Sequence, residues 1–312
     1  MRRKPRALRP GDAIGIAAPS GPVTPESVQK GMALLEARGY RVVLGEHLFA
    51  TVPHNDYLAG DDADRAADLN ALFARDDIAA VLCAKGGYGS MRLMSLLDWA
   101  TIAAHPKLFL GYSDITTLHL GLARYANLAT LHGPNLITLP GLDETASCVF
   151  WQMAENAAPF GPLPAPADAV QTLVPGRVEG ELAGGCLCLL AHACGTAYAP
   201  DLRGKIVLIE DVGEAVYRVD RYLSQLRNAG LLDEAAGFVI GTVTGWEKQE
   251  QDPPGSALDA LWRDFFIPLG RPTITGFPFG HAPNPLTLPL GVRAQLDAGA
   301  GTLTLLEAAL TP

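Results

Sequence analysis

The sequence has no apolar stretch of the roughly 18 residues that a transmembrane helix needs. A basic start at residues 2–6 is followed by an apolar run at residues 14–18, which is too short for the core of a signal peptide. We therefore expect no export signal, no membrane partner and a location in the cytoplasm.

Basic residues are in the minority. The 24 Lys and Arg stand against 33 Asp and Glu, a net charge of −9. This charge repels a phosphate backbone, and no basic stripe offsets the repulsion. Nucleic acid is therefore not an expected partner.

Cysteines are also few, and their number is odd. Five cysteines in a chain with no secretion signal favour reduced thiols over a disulfide framework. Cys186, Cys188 and Cys194 lie close enough in sequence to suggest a metal site, but they stand in an apolar run. Free cysteine in such a run commonly behaves as a small buried hydrophobe, so we predict neither a metal site nor a cofactor here.

The length of 312 residues, with 48% apolar and 18% charged residues, is typical of a folded chain with two domains. Strand-like segments at 14–18, 41–44 and 79–83 alternate with helical patterns that begin at Thr24 and Asp62. This βαβαβ order predicts an N-terminal Rossmann-like domain with a parallel sheet, whose ligand sites lie at the carboxyl ends of the strands.

A change of composition divides the chain. Five prolines between residues 159 and 175 preclude a continuous helix. We therefore predict an N-terminal domain over 1–155, a linker over 156–176 and a C-terminal domain over 177–312. The last part is expected to be a smaller mixed α/β domain with a β-barrel-like sheet, which ends in a β-hairpin over 293–306.

Ser113 stands where the apolar run 108–110 turns into a helical pattern. A serine at a strand-to-helix turn is exposed above the sheet, and the next backbone N–H can help to hold an oxyanion. Gly111 fits the first glycine of a G-x-S-x-G motif, but Ile115 stands where the second belongs. From this motif alone, the interpretation that Ser113 or Asp114 merely caps the helix is favoured.

A second loop, residues 84–90, follows the strand 79–83 and carries three glycines, Gly86, Gly87 and Gly89. Glycines at a strand end let backbone N–H groups approach a ligand closely, as phosphate loops and oxyanion holes both require. The loop lacks the Lys-Ser/Thr ending of a phosphate loop, so nucleotide binding is the second choice.

A nucleophilic serine needs a histidine base, and two of the seven histidines stand out. His132 comes just after the serine's helix, and His281 lies in a proline-rich loop that would hold the ring in one orientation, which favours His281. His119 and His192 fall in helical patterns, where a packed or a surface histidine is the commoner case.

The acid that orients the histidine is sought at the end of an apolar strand. Residues 205–209 are followed by Glu210 and Asp211, with Glu214 four residues beyond Glu210. A carboxylate there would be held firmly and partly desolvated. A solvated acidic turn is an equal alternative on this evidence.

Taken together, these segments resemble the LD-carboxypeptidases of bacterial peptidoglycan recycling, a family that includes muramoyltetrapeptide carboxypeptidase. The resemblance runs along most of the chain, in the following order: Pro10-Gly11-Asp12, Ala18-Pro19-Ser20-Gly21, Gly86-Gly87-Tyr88-Gly89 with Arg92, Gly111 to Thr116, His132-Gly133-Pro134, Gly180-Glu181-Leu182, Gly184 to Leu187, Glu210-Asp211, Asp220-Arg221, Gly280-His281 and Leu288 to Gly291.

The resemblance implies a Ser-His-Glu triad of Ser113, His281 and Glu210, with Glu214 as the fallback acid. It also implies an oxyanion hole from backbone at Gly86, Gly87 and Asp114, no metal or cofactor, and a homodimer. The expected substrate is a small murein tetrapeptide, free or linked to UDP or a sugar, from which the terminal D-alanine is removed. Candidate substrate-binding residues are Lys85, Tyr88, Arg92, His132 and Arg218.

Two other functions remain open. Relatives of this family cleave peptide-nucleotide antibiotics, and an aromatic that stacks on adenine, such as Trp246 or Trp262, would favour that activity. A non-catalytic module that binds a nucleotide or a sugar would keep the glycine loop and use Ser113 only as a cap.

Overall fold

The computed structural model describes residues 2–166, 168–246 and 256–312, and it divides the chain into two compact units. Unit 1 comprises Met1–Ala158, Thr287–Gly291 and Ala308–Pro312, and unit 2 comprises Pro159–Leu286 and Val292–Glu307. No helix among the described residues is both long and apolar enough to cross a bilayer.

Unit 1 contains one six-stranded sheet. Numbered along the whole chain, its strands are β1 Ala13–Ala17, β2 Arg41–Leu44, β3 Ile78–Cys83, β4 Leu108–Gly111, β5 Thr130–His132 and β12 Leu288–Leu290. The order is β12-β5-β4-β3-β1-β2, and every pair is parallel except β12 with β5. The predicted Rossmann-like parallel sheet is therefore confirmed, with one antiparallel strand added at its edge.

The helices of unit 1 are α1 Pro25–Ala37, α2 Asp62–Ala74, α3 Trp99–Ala104, α4 Thr116–Gly121 and α5 Glu144–Glu155. The start predicted for α1 is confirmed: Thr24 accepts a hydrogen bond from the Ser27 backbone N–H, and Pro25 occupies the first turn. Short 3₁₀ turns lie at Ser90–Leu93, Ser113–Ile115 and Leu139–Gly141, and a π-helical turn, Leu122–Ala126, continues α4.

Unit 2 contains an eight-stranded mixed sheet. Its strands are β6 Gly161–Pro162, β7 Gln171–Val174, β8 Arg177–Cys186, β9 Ile206–Val212, β10 Gly237–Thr244, β11 Thr273–Thr275, β13 Arg293–Asp297 and β14 Thr302–Leu305. The order is β6-β14-β13-β8-β9-β10-β11-β7. Strands β8 to β11 are parallel, and the flanking strands pair antiparallel, which confirms the mixed α/β unit and the terminal hairpin.

The long strand β8 belongs to both halves of this sheet. Its residues 177–181 pair with β13, and its residues 182–186 pair with β9. The helices of the unit are α6 Leu187–His192, α7 Val216–Asn228 and α8 Ser256–Phe266.

The unit boundaries differ from the domain boundaries predicted from sequence. Strands β6 and β7 lie inside the stretch 156–176 that was predicted as a linker, and residues 287–291 and 308–312 belong to unit 1. Prolines exclude a helix, but they are compatible with sheet edges, and β6 and β7 are the outermost strands of their sheet.

Candidate active site

Ser113 follows β4 and is the first residue of the 3₁₀ turn that leads into α4. Its φ of +68° is a left-handed conformation, which costs a non-glycine residue on the order of 1–3 kcal/mol. The N-cap positions of the turn and of α4 are Tyr112 and Ile115, and neither makes a side-chain cap hydrogen bond. Ser113 and Asp114 therefore do not occupy the N-cap positions of these two elements, and the half-buried serine has a strained backbone conformation.

The glycine loop after β3 packs directly against this serine. A Cβ atom at Gly86 would lie 2.8 Å from the Cβ of Ser113 and 3.1 Å from its Oγ. The Gly86 carbonyl accepts a 2.9 Å hydrogen bond from the Gly21 N–H, and Gly87 is exposed with a φ of +114°. Only glycine at position 86 leaves room for the loop to pass this close to Ser113.

The Asp114 side chain ties three loops together. Its buried Oδ2 accepts hydrogen bonds from the Ser20 hydroxyl at 2.5 Å and from the Ser90 backbone N–H at 2.8 Å, and the Ser90 hydroxyl donates to the Asp114 carbonyl at 2.6 Å. Ser20, Ser90 and Asp114 follow β1, β3 and β4, which are neighbours in the sheet. The carboxylate therefore fixes the Ser113 turn relative to the glycine loop. Sequence reasoning used only the backbone of Asp114 and missed this role.

Arg65 of α2 supports the other end of the glycine loop. Its buried guanidinium donates to the carbonyls of Pro19 and Gly60 and pairs with Asp62. A Cβ at Gly89 would lie 2.8 Å from Arg65 Nη1, so the loop rests on this side chain. The available sequence signal was a charged side chain next to the apolar positions of the helix, and it was missed.

Two histidines lie at the base of the Ser113 turn. The His119 Nε2–H donates to the Gly111 carbonyl at 2.9 Å, and the Thr130 hydroxyl lies 2.8 Å from its Nδ1. Burial, with a smaller contribution from His132, lowers the pKa of His119 to about 3, so the ring is neutral. Of the packed and surface positions considered for His119, the structure shows the packed one.

In unit 2, Glu210 and His281 form a close pair. The Nδ1 of His281 lies 2.6 Å from Oε2 of Glu210, whose side chain has no exposed surface. Glu210 lies in β9, and His281 follows Gly280, which makes a parallel bridge with Thr242 in β10. A Cβ at Gly280 would overlap the Glu210 carboxylate, and the positive φ of 80° is also a glycine conformation.

Glu214, the alternative acid, has different partners. Its Oε2 lies 3.3 Å from Arg218 Nη1, and its Oε1 accepts a hydrogen bond from the Tyr222 hydroxyl at 3.2 Å. Between the two candidates, the structure pairs His281 with Glu210.

A second buried carboxylate stands next to Glu210. Asp211 is 1% exposed, and its Oδ2 accepts a 2.9 Å hydrogen bond from the Cys188 N–H. Burial and the neighbouring Glu210 charge raise the pKa of Asp211 to about 7. Sequence reasoning gave this residue no role.

Comparisons with known proteins identify the family of the chain. The family model of the LD-carboxypeptidase N-terminal domain matches residues 14–133, and that of the C-terminal domain matches residues 179–296. The chain belongs to the LD-carboxypeptidase family. This makes it a serine-type peptidase, as the resemblance predicted.

Individual relatives span nearly the whole LD-carboxypeptidase chain. A putative carboxypeptidase of Streptomyces coelicolor is 43% identical over 98% of this chain and 97% of its own. A probable murein peptide carboxypeptidase of Bacillus subtilis is 37% identical over 97% and 94%, respectively. The crystal structure of an MccF-like protein of Bacillus anthracis has a TM-score of 0.87 at 26% identity and covers 97% of this chain and 99% of its own.

The predicted substrate-binding residues of this LD-carboxypeptidase lie in different environments. Lys85 Nζ donates to the Pro22 carbonyl at 3.3 Å. Tyr88 is exposed and packs edge-on against Tyr57.

The other three candidates also lie beside partner side chains. Arg92 Nε lies 2.9 Å from Asp62, and Arg218 pairs with Glu214. His132 is 1% exposed and lies beside Tyr112. Among these five candidates, His132 is the only one that is fully buried.

The two tryptophans considered for adenine stacking are also buried. Trp246 and Trp262 are each 4% exposed, and Trp262 packs against Phe266. Neither ring face is open to a nucleotide in this structure.

Proposed function

We propose that this LD-carboxypeptidase releases the terminal D-alanine from a murein tetrapeptide in peptidoglycan recycling, with Ser113 as nucleophile, His281 as base and Glu210 as orienting acid. The observation that carries the proposal is the 2.6 Å contact between His281 and Glu210 in a chain whose other unit holds a strained serine against a glycine loop. The name of the Bacillus subtilis relative, a probable murein peptide carboxypeptidase, supports this choice of substrate.

The proposed reaction follows from the tautomer of His281. Because Nδ1–H donates to Glu210, Nε2 keeps its lone pair and takes the hydroxyl proton as Ser113 Oγ attacks the carbonyl of the L–D peptide bond. The imidazolium then protonates the amine of the departing D-alanine as the C–N bond breaks. Water, deprotonated by His281, hydrolyses the acyl-enzyme and regenerates the Ser113 hydroxyl.

In this proposal, the oxyanion is stabilised by backbone N–H groups of the glycine loop, at Gly86 and Gly87, and of Asp114. The supporting observation is the contact between Gly86 and the Ser113 side chain, because donors must lie close to the attacked carbonyl. The hydrogen bonds of the Asp114 carboxylate would keep these donors in place before the substrate arrives.

A carboxypeptidase also needs a cation for the free C-terminus of its substrate. Among the three basic candidates, we favour Lys85. Arg92 and Arg218 are each paired with a carboxylate, whereas Lys85 makes no ion pair within the described residues and precedes Gly86. Lys85→Gln should raise KM with little change in kcat, while Arg218→Gln should change neither.

The antibiotic-hydrolase alternative has less support. The similarity to the MccF-like structure fits it, because MccF is named a microcin C7 self-immunity protein, but the two aromatic residues that would have favoured it are buried. We therefore keep the murein peptide as the proposed substrate.

The deciding experiment measures D-alanine released from purified murein tetrapeptide by the wild-type chain and by Ser113→Ala. We expect release by the wild type and none above background by the variant, with unchanged circular dichroism. Undiminished release by the variant would overturn the proposal. We also propose that the protein is located in the cytoplasm and forms a homodimer. Cell fractionation tests the location, and light scattering of the purified chain tests the dimer.

A further inference from the structure

A group of sulfur and oxygen atoms lies beside Glu210, and the proposed reaction does not use it. The thiols of Cys186 and Cys188 and the Asp211 carboxylate each offer one ligand atom, and these atoms all lie within 4.8 Å of one another. We propose that this Cys186–Cys188–Asp211 cluster is a binding site for a soft divalent metal ion of the zinc class. The sequence favoured buried, inert thiols, and it did not reveal the carboxylate as the third member.

Two of the three distances between the ligand atoms match those of a tetrahedral zinc site. Zn–S bonds of about 2.3 Å and Zn–O bonds of about 2.0–2.2 Å imply S···S separations of about 3.8 Å and S···O separations of about 3.5 Å. The sulfurs of Cys186 and Cys188 are 3.9 Å apart, and Cys186 Sγ lies 3.5 Å from Asp211 Oδ1. The third pair, Cys188 Sγ and the Asp211 carboxylate, lies within 4.8 Å.

Regular secondary structure holds all three ligands. Cys186 ends β8 in register with Glu210 of β9, Asp211 follows Glu210 in the same strand, and Cys188 lies in the first turn of α6. The Asp211 carboxylate is further fixed by backbone N–H groups of Cys188 and Val212, at 2.9 and 2.8 Å. The arrangement is therefore built before an ion arrives, which is what a metal site requires.

The chemistry of the donors selects the ion. Two thiolates and one carboxylate suit zinc or a similarly soft ion, and they do not suit magnesium or calcium, which prefer oxygen ligands. Three protein ligands leave a fourth position for water, and the half-exposed Cys188 gives access from solvent.

Cys194 provides a matched control. Its half-exposed thiol donates to the Leu190 carbonyl at 3.7 Å and is not part of the cluster. Cys194→Ser removes one thiol from the same segment without touching a proposed ligand.

The test uses the reduced, metal-stripped full-length chain, with Zn²⁺ in equilibrium dialysis and Co²⁺ as a spectroscopic probe. We expect one ion per chain and a thiolate-to-cobalt charge-transfer band for the wild type and for Cys194→Ser. In Cys188→Ser, the band should weaken, and zinc affinity should fall by more than the roughly 10–100-fold lost when an outer-sphere partner is removed. Asp211→Asn should lower affinity in the same direction, with circular dichroism as the check of folding.

Three results would overturn the proposal: no zinc uptake by the reduced wild-type chain, uptake with full affinity by folded Cys188→Ser, or a Cys186–Cys188 disulfide that forms under these reducing conditions and excludes metal. None of these measurements depends on D-alanine release. Failure of the metal site and failure of the proposed peptidase function would therefore be distinguishable.

Discussion

His281 donates a 2.6 Å hydrogen bond from Nδ1 to Oε2 of Glu210, a carboxylate with no exposed surface. A buried carboxylate in this position fixes both the orientation of the ring and its tautomer, and it leaves Nε2 as the basic nitrogen. Both residues belong to unit 2, so the distance between them is a property of that unit alone.

The first prediction concerns the acid. Glu210→Gln should lower kcat by on the order of 10³–10⁴, because an amide no longer stabilises the imidazolium or the correct tautomer. The matched variant Glu214→Gln removes a carboxylate that binds Arg218 and Tyr222, and its kcat should stay within a few-fold of wild type. Steady-state D-alanine release measures both, and equal losses in the two variants would refute the assignment.

The second prediction concerns the glycine loop. Gly86→Ala places a Cβ 2.8 Å from that of Ser113, so the loop or the serine must shift, and kcat should fall at least about 100-fold through misplaced oxyanion donors. Gly141→Ala adds the same methyl group where no atom lies within 4 Å, and it should leave turnover unchanged. Wild-type kinetics for Gly86→Ala would show that the contact has no catalytic role.

The third prediction concerns backbone strain. Ser113→Gly should raise the free energy of unfolding by about 1 kcal/mol relative to Ser113→Ala, since glycine adopts a φ of +68° without penalty. Both variants should be inactive. Urea denaturation of the two proteins provides the comparison, and equal stabilities would mean that the turn stores no strain.

The features that depend on local sequence pattern could be predicted from the sequence. The alternation that leads to Ser113, the cap at Thr24 and the terminal hairpin follow from periodicity and turn residues, and all are present in the structure. Hydrophobic pattern alone could not show that β6 and β7 pair at the sheet edges, because pairing of a proline-rich segment depends on its tertiary partners.

The site could be predicted only in part, because the choice between candidate residues depends on tertiary contacts that the sequence does not show. Glu210 and Glu214 are the same type of residue, four positions apart. Only the fold shows that His281 contacts Glu210 and that Arg218 contacts Glu214. The Asp114 carboxylate also acts through contacts with Ser20, 94 residues away in sequence, which no local motif contains.

The fourth prediction is a pH dependence. Burial lowers the pKa of His119 from 6.5 to about 3, so the neutral ring stabilises the folded state fully above pH 6.5, and this stability is lost as the pH falls towards 3. From pH 7 to pH 4.5, the wild type should therefore lose up to about 2–3 kcal/mol more unfolding free energy than His119→Gln. Urea unfolding at the two pH values tests this, and parallel losses would contradict it.

The most direct test of the central claim is covalent labelling of the full-length chain by a fluorophosphonate, which reports whether a serine is activated. We predict one label per chain, mapped by peptide mass spectrometry to Ser113, with labelling at least about 100-fold slower in folded His281→Ala. A label on another serine, or an unchanged rate in His281→Ala, would contradict the account of Ser113 as a nucleophile activated by His281.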